Sequence, residues 1–147
     1  MLIIREGTTD DNPGLARLRT IWADEQEPSD IEDPEFERTF LDWAKANPRQ
    51  VLVAEQDGEL IGMLNVMVFH RMPKPGKAAS CWCYFGNVYV LPQHRNAGIG
   101  GKLVQAAIEF SRSIGAARIV LSPSSESRRL YERLGFKPAK ELSLLEF

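Results

Sequence analysis

Thiol and imidazole are scarce in this chain. Its 147 residues hold two cysteines and two histidines. Cys81 and Cys83 stand two positions apart, so on a strand they project from one face about 7 Å from each other, which is poor disulfide geometry. With only His70 and His94 to join them, no metal-ligand set forms, and buried strand positions are the expected role. An excess of positive charge is missing too. Eighteen Lys and Arg face twenty Asp and Glu, for a net charge of -2, and a nucleic-acid binder ordinarily carries a basic surplus. No apolar run approaches the ~18 residues of a membrane span. Met1 to Asp10 lacks the apolar region of a signal peptide, so the expected setting is the cytoplasm. There is no internal repeat, low-complexity tract or linker. Residues 1–147 therefore read as one domain, 44% hydrophobic and able to bury a core.

What is present alternates between two periodicities. Leu2 to Arg5 is a short strand signal at an edge or second position. Thr8 to Asn12 supplies capping residues, and Leu15, Leu18, Ile21 and Trp22 then recur at helical spacing, ending near Glu25 to Pro28. A second helix is expected from Asp33-Pro34, with Phe36, Phe40 and Trp43 as its buried stripe and Asn47-Pro48 as its stop. Gln50 to Gln56 and Glu59 to Phe69 read as strands joined by Asp57-Gly58, a two-residue hairpin signal. The second of these is long and apolar and so expected at the sheet centre. His70 to Ala79, with Pro73, Pro75 and Gly76, is a loop. Ser80 to Leu91 is the next strand. Arg118 to Leu121 is expected as a buried strand, Glu126 to Leu134 as a last helix closed by Gly135, and Phe136 with Leu142 to Phe147 as one or two closing strands.

The most informative stretch is Asn87 to Ile114. Val88 and Val90 alternate as in a strand, and Pro92 removes a donor and stops it. Gln93 to Ala97 leads into Gly98-Ile99-Gly100-Gly101. Ile99, Leu103, Ala106, Phe110 and Ile114 then repeat at helical spacing for about four turns, and Gly115 is placed to cap them. A helix start carries unpaired N–H groups and a partial positive charge. Gly98 and Gly100 put no side chain in front of those groups, and Asn96 tolerates a left-handed backbone. The stretch is a phosphate seat, with Arg95 as a nearby cation. The strand–helix–strand length makes the flanking strands parallel. Two well-known phosphate loops do not fit. The P-loop needs glycine at Asn96 and Ser or Thr at Leu103. The dinucleotide fingerprint needs its third glycine at Leu103, and no acidic residue closes the next strand.

Arg95-Asn96-Ala97-Gly98-Ile99-Gly100 resembles the arginine/glutamine-x-x-glycine-x-glycine/alanine signature of the GNAT superfamily of N-acetyltransferases. Val90-Leu91-Pro92 ahead of it is similar to that family's strand end. Leu130-Tyr131-Glu132-Arg133-Leu134-Gly135-Phe136, about thirty residues on, resembles its tyrosine-bearing helix and following strand. The resemblance implies a single-domain mixed α/β fold. Its central sheet is mostly antiparallel, has two parallel strands that splay apart, and is flanked by about four helices. It implies acetyl-CoA as acyl donor, with the pantetheine arm along the backbone of Val88, Tyr89 and Val90. The pyrophosphate would lie on Arg95, Asn96, Ala97, Gly98, Ile99, Gly100 and Gly101. Tyr131 matches the family's general acid, and a phenol with a pKa near 10 is protonated and ready to donate at neutral pH. Where the family often has a cofactor-contacting asparagine, seven residues before the tyrosine, this chain has Ser124, a hydrogen-bonding residue of shorter reach.

The implied reaction is transfer of acetyl to a primary amine of a small molecule or peptide by direct attack in a ternary complex. The alternative is an acyl-CoA-binding sensor or interaction module without chemistry. Glu25, Glu27, His70, Tyr84 and Asn87 are all open as the base that frees the amine. Asp24 to Glu35 holds seven acidic residues and no Lys or Arg. It is expected as a solvated loop, or otherwise as a rim attracting a cationic acceptor. An exposed closing strand offers an edge to a second copy, which leaves a homodimer open.

Overall fold

A computed structural model describes residues 1–147. In chain order the elements are β1 (Leu2–Glu6), α1 (Asn12–Gln26), α2 (Phe36–Ala46), β2 (Gln50–Gln56), β3 (Glu59–His70), β4 (Cys81–Val90), α3 (Ile99–Ser113), β5 (Ile119–Leu121) and α4 (Arg128–Arg133). Short 3-10 turns at Thr9–Asp11 and Pro92–His94 precede α1 and α3. The five strands make one sheet in the order β1-β2-β3-β4-β5. The first three pairings are antiparallel and β4–β5 is parallel, because α3 carries the chain back before β5 begins. No helix is long and apolar enough to cross a membrane.

Local chemistry explains most of these elements. Asp57 and Gly58 both take positive φ, 53° and 83°, as the expected two-residue hairpin between β2 and β3 requires. Thr8 and Asp11 form a capping box before α1. β3 lies between β2 and β4, so both its edges are paired and its run from Leu60 to Leu64 is buried. Leu64, Val53, Leu103 and Phe85 are among the large side chains at the centre of the core, where α3 packs on the sheet. Truncating one such leucine to alanine costs about 2–5 kcal/mol. Cys81 and Cys83 are free and buried on β4, and burial pushes the Cys83 thiol up.

Four expectations are corrected. Residues 134–147 contain no strand. Leu142, Leu144, Leu145 and Phe147 are exposed. A returning strand needs an edge to pair with, and β5 offers only three residues, while Pro138 takes a donor from the return path. β5 is therefore an edge strand, as β1 is at the other end of the sheet, and its residues are half-buried rather than buried. The basis for a dimer through a closing strand falls with it. The inward face of α3 runs through Ile99, Leu103, Val104, Ala107, Ile108 and Ser111. Ala106 and Phe110 are only half-buried and Ile114 is exposed. Helix α2 begins at Phe36, after a turn in which Asp33 accepts from the Glu35 N–H at 3.2 Å, and none of its residues is buried. Its aromatic stripe borders a cavity instead.

Candidate active site

The site is built where β4 and β5 part. Cys83, Tyr84 and Phe85 pair with Ile119, Val120 and Leu121, and there β5 ends. From Gly86 to Val90 the β4 edge on that side has no strand beside it. On its other side β4 keeps to β3, but with an extra residue. Gly86 pairs with Asn65 and Tyr89 with Met63, so Asn87 and Val88 together oppose Leu64. This bulge holds Asn87 at φ 53°, and the Asn65 side-chain amide donates to Asn87 Oδ1 at 3.1 Å. Bulges bend a strand and re-aim its groups. Here β5 has already ended, so beyond Phe85 this edge of β4 has no ladder partner for its backbone N–H and C=O groups.

The glycine corner follows at once. Asn96 and Gly98 are left-handed, at φ 62° and 80°. The first bond into α3 runs from the Lys102 N–H to the Gly98 carbonyl at 3.1 Å. The N–H groups of Ile99, Gly100 and Gly101 therefore precede the helical ladder, and no side chain caps them. A Cβ at Gly98 would meet nothing within 4 Å, and one at Gly100 would meet only Leu130, at 3.9 Å. The space ahead of the helix start is open, and its dipole favours an anion.

The Arg95 side chain turns back rather than into that space. Its Nε donates to the Val90 carbonyl at 2.9 Å, and its Nη1 lies 2.6 Å from Glu25 Oε1. Glu25 Oε2 accepts from Arg95 Nη2 at 2.9 Å and from the Tyr89 hydroxyl at 2.7 Å. Trp22 stacks on the Tyr89 ring at 5.2 Å. The Arg95 guanidinium and the Tyr89 hydroxyl hold the Glu25 carboxyl below its usual range. Burial, then the Glu25 carboxylate, pushes the Tyr89 phenol up to about 12. The end of α1 is thus clamped to the end of β4 and to the loop before α3.

Tyr131 is buried on α4, edge-on to Phe136 at 5.6 Å, and Phe136 in turn packs near Phe85 of β4. Leu130 beside it touches the glycine corner. The Tyr131 hydroxyl makes no hydrogen bond within the protein but is not sealed from solvent, and burial of the residue pushes its pKa up. Ser124 is occupied locally, accepting the Ser127 N–H at 3.2 Å and lying 2.8 Å from its hydroxyl.

On the far side of the bulge lies a cavity of about 740 Å³. It is walled by α1, α2 and the β-strand ends, and includes Phe36, Phe40, Trp43, Asn65 and Asn87. Of the five candidate bases only Asn87 borders it. Glu25 is committed to its two partners, Tyr84 hydrogen-bonds Ser122 at 3.0 Å, and Glu27 and His70 are exposed. No residue of the acidic segment Asp24 to Glu35 lines the cavity; its first residues end α1, where Glu25 joins the clamp, and residues 27–35 are exposed between the helices.

The sequence placed the open strand edge, the left-handed Asn96 and the helix start side by side, and the structure brings them together. It did not show the Glu25–Arg95–Tyr89 clamp. Nor did it show the cavity cations Arg19 and Arg49, although Arg19 stands three residues before Trp22 on α1, the spacing that lets it cover that ring; Arg49 covers Trp43 from beyond the end of α2.

A parallel strand pair that stops short beside an uncapped helix start suits a domain that binds a nucleotide thioester. Residues 15–136 match the Acetyltransferase (GNAT) family, and the chain belongs to that family of acetyl-CoA-dependent N-acetyltransferases. It is 31% identical over 88 residues to the glucosamine 6-phosphate N-acetyltransferase of Trypanosoma brucei brucei, covering 60% of this chain and 58% of that protein. Among solved structures it is similar to a GCN5-related N-acetyltransferase from Ralstonia eutropha JMP134. That match has a TM-score of 0.72 and 26% identity, and covers 99% of each chain. A predicted acetyltransferase from Clostridium acetobutylicum, solved with acetyl-CoA, shares the fold at a TM-score of 0.75 and 22% identity over 99% and 96% of the two chains.

Proposed function

We propose that residues 1–147, as one domain, transfer the acetyl group of acetyl-CoA to a primary amine of a small molecule or peptide. The observation that carries this is the unpaired β4 edge running into the uncapped α3 start, with α4 set against that corner through Leu130. When bound, acetyl-CoA supplies a thioester carbonyl carbon open to an amine. The chain's residues do the rest. The backbone of Val88, Tyr89 and Val90 pairs with the amide-rich pantetheine arm. The N–H groups of Asn96 to Gly101 hold the diphosphate. Arg95 keeps the loop in place through Glu25 and Val90, and Ser124 shapes the start of α4. Tyr131 would hold the proton that the leaving thiolate needs when acetyl passes to the amine, and the proton lost by the amine nitrogen would pass to solvent water. Its raised pKa keeps the phenol in the acid form this step needs. Asn87 stands at the acceptor side of the bulge, where it positions the amine or a water. The sugar amine named for the trypanosomal relative is consistent with a small-molecule acceptor.

The test is acetyl-CoA turnover against an amine panel with detection of free thiol, using the native chain and Tyr131→Phe. The expected result is a kcat lower by about 10²-fold or more in the variant, with CoA affinity within a few-fold of native. A general acid whose pKa burial raises from the ordinary phenol range also predicts no fall in kcat as pH rises to about 9. An unchanged rate in the variant would remove Tyr131 from the chemistry. Cofactor binding with no thiol release for any amine would favour a sensor.

A further inference from the structure

The cavity beside Asn87 has a charge pattern that the transfer reaction does not explain. Its charged lining is Arg19, Lys45 and Arg49, and no Asp or Glu lines it. The two arginines are held by aromatic faces rather than by acids. The Arg19 guanidinium lies 4.8 Å from the Trp22 ring centre, and that of Arg49 lies 5.1 Å from Trp43. Neither is in a salt bridge. Arg19 Nη1 and Arg49 Nε are the only buried side-chain nitrogen or oxygen atoms in the chain without a hydrogen-bond partner. A guanidinium N–H buried without an acceptor is costly, and more so when the group is charged. Both guanidinium groups, with no acid partner in the chain, line one carboxylate-free cavity, and this arrangement suits an anionic acceptor from outside.

We infer that this cavity is the acceptor subsite and selects an amine that also carries an anionic oxygen group, a phosphate ester or a carboxylate. Arg19 and Arg49 would receive that group. A planar fork of N–H donors suits either anion, which accepts two parallel hydrogen bonds from it. Trp22 and Trp43 fix the forks beforehand, so little side-chain entropy is lost on binding. The anion then sits on the α1–α2 side while the amine is directed toward Asn87 and the bulge. Polyamines and other dicationic acceptors are disfavoured, since a second ammonium would enter a positive cavity.

This inference rests on the transferase reading, and its test separates the two. Four acceptors are compared at fixed ionic strength: glucosamine, glucosamine 6-phosphate, a dipeptide, and the same dipeptide as its C-terminal amide. Spermidine serves as the cationic control. At least one anionic member is expected to exceed its neutral counterpart by tenfold or more in kcat/KM, and which pair shows it identifies phosphate or carboxylate. In the Arg19→Gln/Arg49→Gln variant that ratio should fall to near one, with acetyl-CoA affinity serving as the check on folding. Calorimetry with glucosamine 6-phosphate and the dipeptide on CoA-loaded protein gives a readout without turnover. Saturable binding lost in the double variant upholds the subsite even if no acetyl transfer occurs, an outcome that would sink only the transferase reading. Preference for spermidine or the neutral amines, or a ratio and binding unmoved by the double variant, overturns it.

Discussion

Glu25 shows how much one carboxylate can organise. It sits in the last turn of α1, where an acid is poorly placed against the helix dipole. It stays there because it accepts from both Arg95 and Tyr89. Replacing it by glutamine removes the charge and leaves a single acceptor oxygen. Both ion-pair partners are more than a third exposed, so the stability loss should stay below about 1 kcal/mol, a shift of ~2–4 °C in Tm. The effect on the loop should be larger. With Arg95 released, acetyl-CoA should bind several-fold more weakly. The Tyr89 phenol, pushed to about 12 in the native protein, should drop toward but not reach its ordinary value, because burial remains. Ultraviolet titration of the chain's three tyrosines measures that drop. An unmoved titration would mean that the clamp is not formed in solution.

At the scale of elements, the corner between β4 and α3 carries the function, and the glycines there differ in why they matter. Gly98 needs its left-handed backbone, so Gly98→Ala costs about 1–2 kcal/mol even though no atom obstructs the methyl. Gly100 lies in the first turn, and an added Cβ meets only Leu130 at 3.9 Å. Gly100→Val should therefore fold, yet weaken CoA by tenfold or more, about 1.4 kcal/mol, by standing over the free N–H groups. Equal losses of stability and of affinity in this variant would argue against the anion seat. This corner was legible in the sequence because glycines, Asn96 and Pro92 act locally, within a few residues. The bulge was not legible, since an extra residue in β4 exists only relative to β3. The stripe Phe36, Phe40 and Trp43 was seen as periodic but assigned to the core. Periodicity shows that a face is apolar, not whether protein or a ligand covers it. The closing strand failed for a similar reason: Leu142 to Phe147 has a strand-like composition, but a strand also needs a free edge of matching length.

Across the whole molecule, charge pairs join pieces distant in sequence, and they set its response to acid. Arg5 on β1 donates to both oxygens of Asp11, each at 2.8 Å, and to Glu55 on β2 at 2.6 and 3.0 Å. Sheet edge and helix entry are thereby locked together, as Glu25 locks the exit of α1 to β4. The Arg5 guanidinium holds the Asp11 carboxyl below its usual range, as Arg95 does for Glu25. A carboxyl whose pKa is lower folded than unfolded stabilises the fold fully above its unfolded value. That contribution is lost as pH falls through the folded value. Both groups start from ordinary carboxyl values near 4, so Tm should be nearly flat from pH 8 to about 5 and decline below about 4. Asp11→Asn should lower the plateau and flatten the decline, since the variant has one less proton to take up on unfolding in acid. Adding Glu25→Gln should flatten it further and almost additively, because the two clusters share no partner. A decline as steep in the double variant as in the native chain would place the acid-sensitive groups elsewhere.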